Sequence, residues 1–325
     1  MSIVIAFAGS YCTAEPVLAD LVTSTGYARI TDGDLVADAS RASGLSEEKI
    51  QRAFGAKASV FNRFTHEKEC AVAYLRQALA RRLKATEGLV VEGSGGLLVP
   101  RSVTHALRVC LIADLAYRQA EAEAGGLSAK EALRQIRRGD EDCATWSRFV
   151  DAQTDPWAAE AHDMVIPMHK NTPAKAASLI EENLLKPPLR PNAESRQAVA
   201  DFLLAADTEV ALVSAGHDVS VSARQGAVTL TINKQVLMLS RLSDDLRQIA
   251  SAVDVIVQQA RLRDGSRKVT SITEITGMEG ENVVMQDIFK FEDAGSGEEG
   301  KVIGDFQPSG LRPRCTERLK TYGYK

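Results

Sequence analysis

The opening of the chain constrains its fold more than any other segment. Residues 2–8 form a short apolar run that leads directly into Gly9 and then into a helical stretch that begins near Thr13. A short apolar run of this kind predicts a strand buried on both faces, as the strands of parallel sheets are. The glycine allows a sharp turn between strand and helix. The segment therefore predicts the first strand, loop and helix of an α/β domain.

Four further apolar runs predict strands of the same sheet, at residues 27–31, 88–92, 107–113 and 162–168. Segments with helical periodicity separate them, most clearly residues 66–84. Alternating strands and helices predict an α/β fold, a parallel sheet flanked by helices. In such sheets ligands bind beyond the carboxyl ends of the strands. Those ends carry Gly9, Ser10, Asp32, Glu92, Gly93, Ser94 and Asp114.

Charge and cysteine content limit the classes of function. A net charge of −4 over 325 residues gives no general attraction to nucleic acid, so we expect no nucleic-acid partner. Five scattered cysteines without a CxxC pair predict reduced thiols in a cytoplasmic protein, and neither a disulfide framework nor a metal site. No apolar run approaches the ~20 residues of a membrane-spanning helix, and no secretory signal opens the chain.

A proline-rich segment predicts a linker over residues 186–193, after a first domain over residues 1–185. A small αβ module follows over residues 194–262. Its predicted elements are a helix over 194–212, a hairpin that turns at Gln225-Gly226, a helix over 236–252 and a strand over 253–262.

Residues 263–325 predict a β-rich tail. Asp264-Gly265 is a hairpin turn signal that joins the preceding strand to a strand over residues 268–275. A further strand is predicted over residues 283–291. Residues 292–304 are rich in glycine and acidic side chains, which predicts a mobile loop.

The first loop has the position of a phosphate-binding P-loop but not its residues. That motif is a glycine, four residues and then Gly-Lys-Ser/Thr. Counting from Gly9, the lysine position holds Glu15, and Pro16 stands in place of the hydroxyl that binds Mg²⁺. The N–H groups that open the helix can still bind an anion. Gly9, Ser10 and Thr13 are therefore candidate cofactor-binding residues, with Thr13 as the helix N-cap.

The alternative for this loop is a structural turn that binds no ligand. Glu15 itself favours a helix N-terminus, so its carboxylate is a candidate occupant of the anion position. Both interpretations stay open from the sequence alone.

Five further segments carry a family resemblance: residues 30–35, 59–64, 89–95, 108–113 and 163–167. Together with the first strand and loop, they make residues 1–185 resemble the cytidylate kinase-like family, a branch of the P-loop nucleoside monophosphate kinases. The resemblance implies ATP and Mg²⁺ as cofactors, and a nucleotide or a nucleoside monophosphate such as CMP as the ligand. It also implies an arginine-rich helical lid that closes over both nucleotides.

The resemblance also implies roles for residues of the lid. Arg118, Arg137, Arg138 and Asp140 are the candidate catalytic residues, because phosphoryl transfer needs positive charge around the transferred group. The alternative for Arg137 and Arg138 is an ordinary solvated helix face. The family pattern would place another arginine shortly after Asp140, where this chain has Cys143.

The acceptor pocket implied by the resemblance contains four candidate substrate-binding residues. Asp32 would bind sugar hydroxyls or a magnesium-bound water, and Arg63 would bind a monophosphate through its guanidinium fork. Gly93 and Ser94 lie in a glycine-rich loop whose backbone can approach a ligand closely. A surface or interdomain ion pair is the alternative role for Arg63.

Two resemblances cover the rest of the chain. Residues 194–262 resemble a BON module through residues 211–232, which implies a phospholipid or another ligand. Residues 246–325 resemble the C-terminal part of tight-adherence and type II/IV secretion ATPases, through residues 261–280 and 310–314. That resemblance implies a protein partner for the tail, but no motor, since this chain lacks Walker motifs.

Three hypotheses of function follow. The chain is a nucleotide-binding protein with weak ATP-dependent phosphoryl transfer to a monophosphate, or a catalytically inactive kinase-fold regulatory protein. The third hypothesis is a docking component of a pilus or secretion system.

Overall fold

A computed structural model describes residues 2–55, 67–151, 155–217, 220–232, 255–279, 282–297, 301–313 and 316. The chain divides into two compact units, residues 1–200 and 201–325. The finer domain boundaries predicted from the sequence stay predictions. Within the described residues, no helix has both the length and the apolar character needed to cross a bilayer.

A five-stranded parallel sheet forms the centre of the first unit. Its strands are β1 (Ile3–Ala8), β2 (Ala28–Ile30), β3 (Leu89–Glu92), β4 (Ala106–Ile112) and β5 (Met164–Pro167). Their spatial order is β2-β3-β1-β4-β5, and every neighbouring pair is parallel. The predicted α/β class is confirmed, and each of the five predicted strands is present.

Helices alternate with these strands along the chain, and the helix Ala193–Ser214 runs from the first unit into the second. They are α1 (Ala14–Thr25), α2 (Asp32–Ser43), α3 (Glu47–Gln51), α4 (Glu67–Ala85), α5 (Leu115–Ala124), α6 (Ala129–Asp151), α7 (Pro173–Leu184) and α8 (Ala193–Ser214). The predicted helix over residues 66–84 corresponds to α4. The predicted linker contains a short 3-10 turn, Pro187–Leu189, and the carbonyl of Leu189 accepts a hydrogen bond from Ser2 Oγ at 2.7 Å.

One apolar layer fixes the position of the first loop. Val4 of β1 and Leu111 of β4 pack with Leu18 of α1 and Ile180 of α7, and all four side chains are buried. Burial of side chains of this size contributes roughly 1.5–3 kcal/mol each. Because α1 is held by its apolar face, its N-terminus stays at the carboxyl edge of β1.

A capping box fixes the start of α2 at the same edge of the sheet. Asp34 N donates to Thr31 Oγ1 at 3.2 Å, and Thr31 N donates to Asp34 Oδ2 at 2.8 Å. The Thr31 hydroxyl also donates to Asp34 Oδ2 at 2.7 Å, and this bond, together with the one from Thr31 N, lowers the pKa of Asp34 because both favour the charged carboxylate. The cap places Asp32 in the first turn of the helix.

The second unit contains a six-stranded sheet. Its strands are β6 (Ser220–Arg224), β7 (Ala227–Ile232), β8 (Val255–Arg261), β9 (Arg267–Glu279), β10 (Asn282–Ser296) and β11 (Val302–Pro308). The order is β11-β10-β9-β8-β7-β6, antiparallel except for the parallel pair β7–β8. Strands of the predicted αβ module and of the predicted tail thus belong to one sheet.

Both predicted hairpin turns are confirmed. Gln225 and Gly226 have φ of 52° and 77°, and their N–H groups donate to the Asp201 carboxylate at 2.6 and 2.7 Å. Two left-handed residues in succession are the geometry of a type I′ turn, which suits a two-residue hairpin. Gly265, with φ of 80°, turns the chain between β8 and β9.

The prediction of a mobile loop over residues 292–304 is wrong for residues 292–296 and 302–304, which lie in strands, while residues 298–300 lie outside the described residues. β10 continues to Ser296, β11 begins at Val302, and Glu292 pairs with Asp305 in antiparallel register. A register shift at residues 293–295 accommodates the glycine, so composition alone misled the prediction. The predicted helix over residues 236–252 lies outside the described residues.

Candidate phosphate-binding site

The loop between β1 and α1 lies at the carboxyl edge of the central strand. Gly9 N donates to Leu111 O at 3.3 Å, and Cys12 N donates to Gly9 O at 3.3 Å. Tyr11 and Thr13 have φ of 61° and 50°. Left-handed backbone costs a non-glycine residue roughly 1–2 kcal/mol, so contacts around the loop must hold this shape.

The N-terminus of α1 has no side-chain cap. Thr13 occupies the N-cap position as predicted, but its hydroxyl lies 3.1 Å from Tyr117 Oη and does not accept from the helix. The reason is its left-handed backbone, since capping side chains need an extended N-cap residue. Pro16 contributes no N–H to the first turn. The remaining N–H groups of that turn present a partial positive charge to an anion.

Glu15 does not lie over this helix end. Its carboxylate pairs with Arg29, whose Nη1 donates to Glu15 Oε1 at 2.9 Å. Arg29 Nε also donates to Glu92 Oε2 at 2.8 Å, at the carboxyl end of β3. The guanidinium lowers the pKa of Glu15 mainly through the hydrogen bond, and the two carboxylates raise the pKa of Arg29.

Arg118 links the loop to the lid helix α6. Its Nε donates to Ser10 O at 2.8 Å, and Nη1 and Nη2 donate to the Asp140 carboxylate at 3.1 and 2.6 Å. The Arg118 side chain is only 11% exposed. The structure therefore brings together Gly9, Ser10, Arg118 and Asp140, as the sequence predicted, although Arg118 is already paired.

The lid helix packs directly on the loop. Gly139 faces Ser10 so closely that a side chain at position 139 would overlap Ser10 Oγ. Arg137 and Arg138 belong to the same helix but are exposed. They line a surface groove of about 740 Å³ together with other residues of the helix and with Ser128, which precedes it. The structure does not bring Arg137 and Arg138 to the loop.

Asp32, Gly93 and Ser94 meet one another. Ser94 N and Gly95 N donate to the Asp32 carboxylate at 2.9 and 2.7 Å. Gly93 has φ of 105°, and a Cβ there would lie 2.5 Å from Asp32 Oδ2. Loss of water around Asp32 raises its pKa to about 6, and nearby Glu92 adds to the increase. Arg63 lies outside the described residues.

Trp146 joins α6 to the loop after β3. Its ring is fully buried, Nε1 donates to Ser94 O at 2.8 Å, and the Phe54 ring lies 4.6 Å away between centroids. Sequence analysis missed Trp146 and Arg29. Each carried a signal, because a tryptophan in a highly charged helix and an arginine inside an apolar strand both need a specific partner.

Two buried thiols, Cys12 and Cys110, and the half-buried thiol of Cys143 lie in this part of the first unit. Burial raises the pKa of Cys110 to about 12 and that of Cys143 to about 11, and it also raises the pKa of Cys12. These thiols are therefore protonated at neutral pH. In the part of the chain that the structure describes, no three His, Cys, Asp or Glu side chains are grouped to hold a metal ion.

The parallel sheet, the glycine-containing loop after its central strand and the flanking helices define a P-loop-kinase-like fold. The chain belongs to the cytidylate kinase-like family, whose model matches residues 4–170, about half of the chain. No curated protein sequence matches the chain significantly.

Solved structures resemble the chain at low identity. An uncharacterised protein from Eubacterium ventriosum ATCC 27560 is 11% identical, covers 57% of this chain and 98% of its own, and has a TM-score of 0.40. Shikimate kinase from Acinetobacter baumannii, in complex with shikimate, is 13% identical over 57% of this chain and 96% of its own, with a TM-score of 0.33. Deoxyadenosine kinase from M. mycoides, with bound dATP, is 9% identical over 57% and 100%, with a TM-score of 0.33.

Proposed function

We propose that the first unit binds a nucleoside phosphate, with ATP as the test ligand, at the loop between β1 and α1. The observation that supports this function is the open N-terminus of α1. Thr13 does not cap the helix, and Glu15 is held aside by Arg29. A helix end without a cap, at the carboxyl edge of the central strand, is where an anion gains most from backbone N–H groups.

The residues fit a phosphate better than they fit Mg²⁺. Pro16 replaces the hydroxyl that would bind the metal. Two candidate carboxylates at this edge of the sheet already have partners, since Asp32 accepts from Ser94 and Gly95, and Glu92 accepts from Arg29. Among the described residues, the side chains around the loop therefore do not supply a Mg²⁺ site.

We further propose that binding, not rapid turnover, is the main activity. The lysine position carries Glu15, and Arg118 is neutralised by Asp140. Arg137 and Arg138 face solvent. Loss of one preorganised contact to a developing charge costs about a hundredfold or more in rate. Phosphoryl transfer to a monophosphate such as CMP is then slow, and a regulatory role suits the kinase fold.

Isothermal titration calorimetry of the full chain with ATP and with adenosine tests the proposed binding. We expect ATP to bind and adenosine, which lacks phosphate, to bind at least tenfold more weakly. Thr13→Asp places a carboxylate at the open helix end and should weaken ATP binding about tenfold without lowering the melting temperature. Ser46→Asp is the matched control. Ser46 is the N-cap of α3, so this substitution adds the same charge at another helix N-terminus. Equal binding of ATP and adenosine would contradict the proposal.

A coupled assay over the common nucleoside monophosphates tests turnover. We expect little transfer from ATP in the natural chain and a measurable increase in Glu15→Lys, which restores a cation at the lysine position. Rapid transfer by the natural chain would show an active kinase and contradict the binding role. The roles predicted for residues 194–262 and 263–325, and the cytoplasmic location, remain predictions.

A further inference from the structure

We propose that Arg29 is the side chain that binds the ligand's terminal phosphate, and that Glu15 occupies Arg29 until the ligand displaces it. The inference rests on the proposed nucleotide binding and identifies a residue for it. Neither the P-loop pattern nor the predicted site contained Arg29.

The sheet directs Arg29 toward the first turn of α1. Arg29 of β2 pairs in parallel register with Val90 of β3, and Val90 packs in the same apolar layer as α1. Parallel partners point to the same face, so Arg29 reaches Glu15 across the end of β3. Glu15 stands at the lysine position of the P-loop pattern. Arg29 thus brings a positive charge to the place where the motif has lost one.

The contacts of Arg29 divide into a fixed pair and an exchangeable pair. Nε and Nη2 bind Glu92, whose side chain is 24% exposed, and this contact fixes the orientation of the guanidinium. Nη1 and Nη2 bind Glu15, whose side chain is 70% exposed. An ion pair with so exposed a carboxylate contributes little to stability, so Glu15 can leave Arg29 for water at small cost.

Displacement of Glu15 frees donors that suit a phosphate. Nη1 and one N–H of Nη2 would then face outward as a fork, which is the geometry that binds phosphate oxygens in two parallel hydrogen bonds. Arg118 offers no such fork, because its Nε, Nη1 and Nη2 all bind Ser10 and Asp140. The ligand class is a phosphate dianion, as in the terminal group of ATP or in inorganic pyrophosphate.

A double-mutant cycle tests the exchange. Isothermal titration of the full chain with ATP and with inorganic pyrophosphate would compare the natural protein, Glu15→Gln, Arg29→Gln and the double variant. We expect Glu15→Gln to tighten binding about tenfold and Arg29→Gln to weaken it about tenfold or more. In the Arg29→Gln background, Glu15→Gln should change affinity less than about twofold, since no cation is left to release.

Two controls separate this effect from general charge and from unfolding. Glu48→Gln, Arg52→Gln and their double variant form the matched control cycle. Glu48 of α3 and Arg52, which follows α3, make an exposed ion pair outside the loop. Arg29→Lys keeps the charge and is the test variant if Arg29→Gln melts below the assay temperature. We expect Arg29→Lys to bind with intermediate affinity, because lysine lacks the fork.

The outcomes distinguish this inference from the proposed function. Equal tightening by Glu15→Gln with and without Arg29 would indicate a general charge effect and overturn the exchange. ATP binding that is unchanged in all variants would also overturn it while leaving nucleotide binding intact. Absence of binding in every variant would overturn both proposals.

Discussion

Arg118 is expected to stabilise the first unit by joining the loop to the lid, whatever its part in chemistry. Arg118→Gln removes the guanidinium that donates to Ser10 O and to both oxygens of Asp140. Glutamine is too short to reach both groups. The loop, with its two left-handed residues, would lose the contact that holds the Ser10 carbonyl.

The expected cost follows from burial and charge. Hydrogen bonds to charged groups contribute about 1.5–3 kcal/mol, and breaking a fully buried ion pair costs about 3–5 kcal/mol. Arg118 is nearly buried, but Asp140 is 35% exposed and regains water when its partner is lost. We therefore expect Arg118→Gln to lower the free energy of unfolding of the first unit by about 2–3 kcal/mol.

Tryptophan fluorescence during urea unfolding measures this loss in the full chain. The chain has two tryptophans, Trp146 and Trp157, and both lie in the first unit, so the signal reports that unit alone. The double variant Arg118→Gln/Asp140→Asn should lose less free energy of unfolding than the sum of the losses in the two single variants, by about 1 kcal/mol or more.

Arg41→Gln provides the matched control. Arg41 pairs with Asp38 on the surface and is 73% exposed, so its loss should cost no more than about 0.5 kcal/mol. If Arg118→Gln costs as little as Arg41→Gln, the link between loop and lid does not stabilise the unit and the reasoning fails.

Three further predictions concern stability. Gly93→Ala should destabilise the first unit by more than about 2 kcal/mol, because its backbone (φ 105°, ψ −166°) favours glycine and its Cβ would meet Asp32. Gly26→Ala has open space and an ordinary left-handed backbone (φ 69°, ψ 14°) and should cost about 1 kcal/mol; equal losses in urea unfolding would contradict this reasoning. The raised pKa of Asp32 means that the folded state holds its proton up to about pH 6, so stability is lost as pH rises through that value. The difference in free energy of unfolding, Asp32→Asn minus the natural protein, should therefore rise by about 1–3 kcal/mol between pH 4 and pH 7. A difference that does not change with pH would refute the raised pKa. Asp201→Ala should raise the hydrogen-exchange rate of the Gly226 N–H about tenfold or more, since that N–H donates to the Asp201 carboxylate. An unchanged rate would show that this hydrogen bond does not protect the turn.

The strands of the first unit could be predicted because burial on both faces leaves an unambiguous apolar run, as in residues 2–8 and 107–113. Composition failed over residues 292–304, where glycines that suggested a loop lie in or beside paired strands. Gly304 is such a case, since a side chain there would overlap the carbonyl oxygen of Glu292. Whether a glycine turns the chain or admits a neighbouring strand depends on a partner that is distant in sequence.

The candidate site could be predicted only in part, for the same reason. Gly9, Arg118 and Asp140 meet as expected, because the loop and lid have recognisable positions in the chain. Arg137 lies one helical turn before Asp140, yet it is exposed and lines the surface groove, so helical spacing alone does not show which basic side chains reach the loop. The pairing of Arg29 with Glu15 depends on strand order, which no local pattern shows.

The single parallel pair in the second unit bears on how that unit folds. Hairpin β6–β7 and the antiparallel run β8–β11 each pair strands that are close in sequence, so each can assemble early. Their junction aligns Thr229 with Val255, which requires closure of a much longer stretch of chain. Closure entropy grows with that length, and nonlocal pairing is slow. The pairing of β7 with β8 should therefore form last during refolding and separate first under mechanical force.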